Sequence, residues 1–247
     1  MLEFDAPASA HALAPAPLKS VDAQTVARNV AHVLDEISKN CYENLAPAKL
    51  VAVVKTVTPE TIQHLKPLQI LDIAENRAQV ALPKLPQIDK DFRLHWIGRL
   101  QTNKVKYIID QVCLLHTLDR LDLAQEVDRQ ADKHQLVLPC LVQVNLAQEP
   151  QKAGLSLDEV RPFLRQMKDF HGLTVKGLMA IMPLMDDEAY LTGLFRGMRT
   201  LFDQLRQEAI DGVSMDELSM GMSHDYRIAA REGATMVRVG SALFTQE

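Results

Sequence analysis

Eight short apolar segments alternate with longer charged segments of helical periodicity, and this pattern predicts a single (β/α)8 barrel, an α/β fold of the TIM type. The chain has 247 residues, of which 47% are hydrophobic and 24% charged, enough to bury the core of one large domain. A doubly wound open sheet usually has fewer strands and a glycine-rich first turn. The sequence contains neither a Gly-x-Gly-x-x-Gly motif nor a Walker loop, so we favour the barrel.

The elements follow in a simple order. Residues 1–20 are rich in Ala and Pro without periodicity, so we expect a mobile tail there and a barrel domain over residues 21–247. Apolar positions recur at helical spacing over 21–42, which predicts an amphipathic helix that covers the barrel bottom. The predicted strands are 50–55, 69–74, 94–98, 113–118, 139–146, 175–181, 217–221 and 236–243.

Charge and composition exclude several classes of protein. The formal net charge is -5, and acidic and basic residues are interspersed, so there is no basic face for nucleic acid. No apolar stretch could span a bilayer and no signal peptide opens the chain, so we expect a cytoplasmic protein without membrane contact. Cys41, Cys113 and Cys140 are widely spaced and predicted to be small buried hydrophobes. The eight histidines lack metal-ligand spacing, and no metal is predicted.

Lys55 closes the first predicted strand, where the reactive groups of such a barrel lie. Judged on this segment alone, a strand-end lysine that extends to water is the favoured interpretation. Strand alternation places Val51, Val53 and Lys55 on one face. If the valines fill the barrel interior, the amine also points inward, where desolvation favours imine chemistry.

Two polar loops at the end of the chain predict a phosphate site. The loop after the seventh strand contains Ser223, the predicted N-cap of a helix over 224–231 that Gly233 closes. After the eighth strand, Gly240 and Ser241 offer a close backbone approach and a hydroxyl. Barrels of this type commonly hold phosphate at these two loops. A capped helix and an ordinary turn would not explain the polarity of both loops, and a phosphate cradle facing an amine suggests pyridoxal 5'-phosphate.

Three polar residues interrupt apolar strands. Arg238 needs a partner there, and a structural ion pair and a functional role are equally supported when the residue is judged alone. In a pyridoxal site its cation could face the pyridine nitrogen, keep that nitrogen unprotonated and weaken carbanion chemistry. For His95 and His116, a hydrogen-bonded core position is favoured over catalysis.

The sequence resembles the pyridoxal phosphate homeostasis proteins over nearly everything from Val21 onward. The resemblance implies a barrel similar to the N-terminal domain of alanine racemase, with the cofactor bound as a lysine imine and no established turnover. The blocks that carry it are LVAVVK (50–55), HWIGRLQTNK (95–104), QVN (143–145), GLMAI (177–181) and the stretch 218–244.

Each contact implied by the resemblance falls on a matching position. The imine is assigned to Lys55, and Arg238 faces the ring nitrogen. Asn76 should lie near the ring, with Met179 as a pocket wall. The phosphate is assigned to backbone and hydroxyl groups of Ser219, Met220, Gly240 and Ser241.

Five positions depart from the family pattern. Ala74 stands for glycine, Arg77 for tyrosine, Leu94 for tryptophan, Ala147 for serine and Ser241 for threonine. Serine in place of threonine keeps the hydroxyl, whereas Arg77 changes the rim of the pocket. None of the five changes removes an imine or phosphate group.

The leading hypothesis is a monomeric protein that binds pyridoxal phosphate reversibly, regulates its free level without catalytic turnover and passes it to apo enzymes. The alternative is a small racemase-like enzyme. Racemization needs a second acid-base group, which alanine racemase takes from a tyrosine of a separate C-terminal domain, and this sequence ends at Glu247. A class I aldolase would place its lysine late in the sixth strand, whereas Lys176 stands at its start.

Overall fold

The structure is a computed structural model that describes residues 17–43, 45–147 and 153–245. It confirms the predicted barrel: eight parallel strands close in sequence order, with the first strand hydrogen-bonded to both the second and the eighth. The strands are β1 (Lys49–Val53), β2 (Asp72–Glu75), β3 (Arg93–Trp96), β4 (Val112–Leu118), β5 (Leu138–Val144), β6 (Leu173–Ala180), β7 (Val213–Ser219) and β8 (Met236–Val239).

Helices follow the strands and form the outer layer. Within the described residues, no helix is long and apolar enough to cross a membrane. The helices are α1 (Ala23–Lys39), α2 (Pro59–Gln63), α3 (Ala78–Lys84), α4 (Thr102–Val105), α5 (Leu121–His134), α6 (Leu157–Gln166), α7 (Glu188–Glu208), α8 (Tyr226–Arg231) and α9 (Ser241–Phe244).

The first helix lies where its sequence predicts but not against the barrel bottom. Asp22 caps α1 by accepting a hydrogen bond from the Thr25 amide, and the valines on one face are buried. That face packs beside α8 and α9 in the outer layer. Asn29 fixes this packing because its side-chain amide donates to the carbonyl oxygens of Leu243 and Thr245. The expectation that α1 covers the barrel bottom was wrong.

Several element boundaries differ from the prediction. β8 ends at Val239, and the next residues form the short helix α9 instead of continuing the strand to residue 243. β2 begins at Asp72 because Gln69, with φ +60°, ends a 3-10 turn over Lys66–Leu68. Lys19, within the predicted tail, forms a parallel bridge with Val57, and the tail up to residue 16 lies outside the described residues.

The strands separate two apolar clusters. The larger cluster lies between the barrel and the helices, and a smaller one fills the barrel interior. Strand alternation explains this division, because successive side chains point to opposite sides of each strand. The interior cluster consists of Val51, Val53, Ala74, Leu114, Leu141, Met179 and Met236.

Candidate functional site

Lys55 lies at the carboxyl end of the first strand, as predicted, but it does not enter the barrel. Val51 and Val53 are buried in the interior, whereas Lys55 is exposed. β1 ends at Val53, and a turn follows in which the Val57 amide donates to the Val54 carbonyl oxygen at 3.3 Å. Alternation stops where the strand stops, so the predicted desolvation of the amine was wrong.

A buried ion pair between α3 and the end of β2 holds this turn in place. The ammonium of Lys84, on α3, donates to the Val54 carbonyl oxygen at 2.8 Å and pairs with the carboxylate of Glu75. Only 4% of the Lys84 side chain and 2% of the Glu75 side chain are exposed. Burial raises the pKa of Glu75, and the charge of Lys84 opposes that rise. The pair therefore ties the turn that carries Lys55 to the end of β2.

Asn76 follows Glu75 directly and presents an unsatisfied group to the site. Its side-chain oxygen is buried and has no hydrogen-bond partner among the described residues. Gly98 packs against its backbone so closely that an added Cβ would lie 2.1 Å from the Asn76 carbonyl oxygen. A buried acceptor without a partner is costly in a protein that binds nothing there, so Asn76 fits a ligand contact.

The ends of β8 and β1 meet beside Lys55 and form a cradle of backbone amides. An added Cβ at Gly240 would lie 3.2 Å from both the Cβ and the carbonyl oxygen of Val53. The side-chain oxygen of Ser223 accepts hydrogen bonds from the amides of Gly240 at 3.1 Å and Ala242 at 3.4 Å. The Ser223 oxygen thus occupies the position to which these two amides point, and the glycine lets the backbone of β8 approach that of β1.

Ser223 has a different role from the one predicted. The helix α8 begins at Tyr226 with Asp225 at its N-cap position, so Ser223 is not the N-cap. The carboxylate of Asp225 accepts a hydrogen bond from the Met222 amide at 2.6 Å, and burial raises its pKa. Gly233 does follow the helix end, with φ +92°, as expected for a closing glycine.

Arg238 is buried in the barrel interior, with 2% of its surface exposed. Its Nη1 donates to the hydroxyl of Ser219 at 2.5 Å, and its Nη2 donates to the carbonyl oxygen of Ala180 at 2.9 Å. Burial lowers the pKa of Arg238 to about 10, and the charge of Asp225 opposes the fall. Arg238 is therefore still a cation at neutral pH, and its direct partners are neutral groups.

The other predicted site residues divide between the interior and the outer layer. Met179 is fully buried in the interior cluster. The hydroxyl of Ser219 bonds Arg238 and His116, and the Met220 amide donates to the Met236 carbonyl oxygen at 3.2 Å. The Ser219 hydroxyl and the Met220 amide thus have partners within the protein, and their assignment to the phosphate stays a prediction, while Ser223 lies beside the cradle. The local sequence carries the signal for Ser223, which lies in the same polar loop.

A cavity of about 560 Å³ adjoins Asn76 at the mouth of the barrel. Of the residues that the structure describes, four basic side chains line it and no acidic side chain does. Arg120 is held in place by Asp119 at 2.7 Å and by the Leu100 carbonyl oxygen at 2.6 Å. The basic residues are Arg77, Arg99, Lys104 and Arg120. The residue that departs from the family pattern, Arg77, thus adds positive charge to this rim.

Known proteins share both the sequence and the fold. The protein-family model described as the alanine racemase N-terminal domain matches residues 21–247 of this sequence. A pyridoxal phosphate homeostasis protein of Aquifex aeolicus is 39% identical over 221 residues, covering 87% of this chain and 95% of that protein. The chain belongs to this family. Its Pasteurella multocida member is 33% identical over 226 residues, covering 89% of this chain and 97% of that protein.

Solved structures agree with this assignment. PipY of Synechococcus elongatus PCC7942, solved with PLP bound, is 31% identical with a TM-score of 0.78 and covers 89% of this chain and all of its own. Alanine racemase of Corynebacterium glutamicum has a TM-score of 0.72 but is only 12% identical, and this chain covers 62% of it. That second likeness shows the fold alone.

Proposed function

We propose that this homeostasis-family protein binds pyridoxal 5'-phosphate at the carboxyl ends of β8, β1 and β2, and releases it to other proteins. The observation that carries the proposal is the contact between Gly240 and Val53, which sets the amide cradle beside the turn of Lys55. Family membership and the PLP-bound structure of PipY support the same ligand.

Each part of the cofactor has a matching group. When bound, the cofactor supplies an aldehyde that reacts with amines and a ring that withdraws electrons. The Lys55 amine would hold it covalently, and its phosphate would replace the Ser223 hydroxyl as the acceptor of the Gly240 and Ala242 amides, with the Ser241 hydroxyl beside it. Asn76 contacts the ring from β2. Because Lys55 is exposed, a recipient protein could approach this amine from solvent.

Arg238 supports a role in binding over a role in catalysis. It is a cation at neutral pH, so it can donate to the ring nitrogen but does not protonate it. A ring with an unprotonated nitrogen stabilises negative charge poorly, which slows reactions at the α-carbon of amino acids. The exposed amine and the cationic partner together fit reversible binding.

Borohydride reduction followed by peptide mass spectrometry tests the covalent link. The pyridoxyl group should be found on the peptide that contains Lys55, and Lys55→Ala should lose the visible absorbance. Lys176→Ala serves as the control. Lys176 lies in the middle of β6, and its Nζ is 3.9 Å from a carboxylate oxygen of Asp216 on β7, so it is not at the end of a strand. A pyridoxyl group on Lys176 alone would overturn the proposal.

Transfer and turnover separate the carrier from an enzyme. When the loaded protein is mixed with an apo pyridoxal enzyme, the activity of that enzyme should return faster than the loaded protein releases its cofactor into buffer alone. Solvent deuterium exchange at the α-carbon of alanine should be no faster than with free cofactor. Rapid, saturable exchange that disappears in Lys55→Ala would show the racemase-like alternative instead.

A further inference from the structure

Five polar side chains in the barrel interior form one continuous chain of hydrogen bonds. Asp72 Oδ1 lies 3.0 Å from His95 Nε2, and His95 Nδ1 lies 2.9 Å from His116 Nε2. His116 Nδ1 lies 3.0 Å from the hydroxyl of Ser219, which also receives the hydrogen bond of Arg238. We call these five residues the interior chain. It links β2, β3, β4, β7 and β8, and every member is buried.

The two ends of the interior chain fix its direction. Arginine has donors only, so Ser219 accepts from Arg238. At the other end, burial raises the pKa of Asp72, but hydrogen bonds from His95 and Arg93 outweigh burial and hold it well below its usual range. Asp72 is therefore a carboxylate that accepts, and Arg93 binds it through Nε at 2.8 Å and Nη2 at 2.7 Å. The proton of His95 must then lie on Nε2.

The middle of the chain follows from the histidines. Burial above all, and then the charge of Arg238, hold the pKa of His116 well below its usual range, so His116 is neutral and has one N–H. If His95 is neutral as well, its Nδ1 accepts and His116 donates from Nε2. His116 Nδ1 is then an acceptor, and the Ser219 hydroxyl donates to it. Every group thus donates toward Asp72, from a cation at one end to an anion at the other.

A protonated His95 would produce the opposite pattern. Its Nδ1 would donate to His116, the proton of His116 would move to Nδ1, and Ser219 would accept from both sides. The hydroxyl proton of Ser219 would then have no place in the chain. The two patterns differ at three ring nitrogens, Nδ1 of His95 and both nitrogens of His116, so they can be distinguished by measurement.

We propose that Asp72, His95 and His116 are positioning residues for Arg238, and that both histidines are neutral with their protons on Nε2. Because the Ser219 proton is committed to His116, its oxygen accepts only from Arg238 and fixes the guanidinium. Hydrogen bonds in such a chain polarise one another in a low dielectric. The part of this inference that concerns the cofactor rests on the proposed function, whereas the proton positions do not.

Other charged groups lie near both ends. Arg93, whose side chain is 53% exposed, holds Asp72, and Lys49 acts on the neighbouring Cys113. Burial and the charge of Asp72 raise the pKa of Cys113 to about 11, so this thiol is neutral. Asp225 acts on Arg238 from the loop before α8. None of these groups offers the interior chain a second acceptor at hydrogen-bond distance.

Nuclear magnetic resonance of the cofactor-free protein tests the proton positions. Long-range proton–nitrogen correlations on protein labelled with ¹⁵N-histidine should show both rings as neutral Nε2–H forms near neutral pH. A ring proton on Nδ1 of His116, or a doubly protonated His95, would overturn the assignment. The experiment needs no variant and no cofactor, so its result is independent of the proposed function.

Two variants test positioning in the full-length protein. Asp72→Asn, at the far end of the chain from Arg238, should change the ring nitrogen signals of both histidines, speed cofactor loss on dialysis by about tenfold and alter the pH profile of the visible absorbance. Thr117→Val is the matched control, because Thr117 is equally buried but donates to the Gly98 carbonyl oxygen at 2.8 Å. It should leave the cofactor readouts unchanged.

The outcomes separate the two proposals. If wild-type protein binds no cofactor, the proposed function fails while the proton positions are still measured. If wild-type protein binds it and Asp72→Asn changes neither the histidine signals nor the pH profile, the positioning role is overturned. If Thr117→Val changed the cofactor readouts as much as Asp72→Asn does, the positioning role would also be overturned. The loss of any buried hydrogen bond would then have the same effect.

Discussion

The mouth of the barrel and its interior contain polar groups of opposite kinds. At the mouth, Lys55 is exposed and the side-chain oxygen of Asn76 has no partner among the described residues. In the interior, Asp72, His95 and His116 are each bonded to the next member of the chain. Groups with unused bonding capacity can receive a ligand, whereas fully bonded groups hold one arrangement.

This difference separates the groups that can contact a ligand from the groups that hold them in place. Under the two proposals above, the mouth would provide the groups that contact the ligand, and the interior chain would hold Arg238 in one arrangement. The buried pair of Lys84 and Glu75 gives the mouth a comparable support from the outer layer. Changes to supports should therefore affect stability, and changes at the mouth should mainly affect binding.

The largest effect is expected from Lys84→Met. The substitution leaves the Glu75 carboxylate buried without its cation and the Val54 carbonyl oxygen without its donor, and we expect the free energy of unfolding to fall by about 3 to 5 kcal/mol. Urea unfolding of the wild type and the variant at neutral pH measures this difference in free energy. Adding Glu75→Leu should restore much of the loss. The exposed pair of Lys39 and Asp35 is the control, and Lys39→Met should change stability little.

An intermediate effect with a defined pH dependence is expected from Asp72→Asn. Because the pKa of Asp72 is lowered in the folded protein, its contribution is present above the unfolded value of about 3.9 and is lost as the pH falls below it. The variant should be less stable by about 2 kcal/mol at neutral pH. The gap between the two unfolding curves should narrow in acid. A gap that stays constant down to about pH 3 would contradict this account.

The smallest effect on stability is expected from glycine substitutions. In Gly240→Ala the new methyl group meets Val53 at 3.2 Å, so we expect a loss of about 1 kcal/mol together with weaker phosphate retention. Gly193 lies on α7, where an added Cβ meets nothing within 4 Å. Gly193→Ala should therefore stabilise the protein by roughly 0.5 to 1 kcal/mol and leave binding unchanged. Thermal unfolding compares the stability of the two variants, Gly240→Ala and Gly193→Ala, and equilibrium dialysis compares their retention of the cofactor.

Periodicity was sufficient to predict the architecture of the barrel. All eight strands were found in order, because alternation between apolar strands and charged helices is a local property of the sequence. The prediction that His95 and His116 are hydrogen-bonded core residues is confirmed, since polar residues in apolar strands need partners. The position of Lys55 at a strand end is also confirmed, but its exposure was missed because the strand ends two residues early.

The partners of the buried polar residues could not be predicted from the sequence. His116 and Ser219 are 103 positions apart and meet only because the barrel closes. Likewise, α9 has four residues, too few to show a helical period, and its start was interpreted as strand. The phosphate roles of Ser219 and Met220 follow from the family resemblance and stay predictions. Which of these groups faces the mouth depends on pairing between distant strands.

The basic cavity beside Asn76 has a kinetic consequence. The chain carries a net charge of -5, yet Arg77, Arg99, Lys104 and Arg120 together place positive charge at the mouth. A local field of this kind attracts anions and raises their association rate, and salt screens it over about 8 to 10 Å at ordinary ionic strength. Under the proposed function, this field would draw a phosphorylated ligand to the mouth against the overall charge of the chain, and association would be fastest in dilute salt.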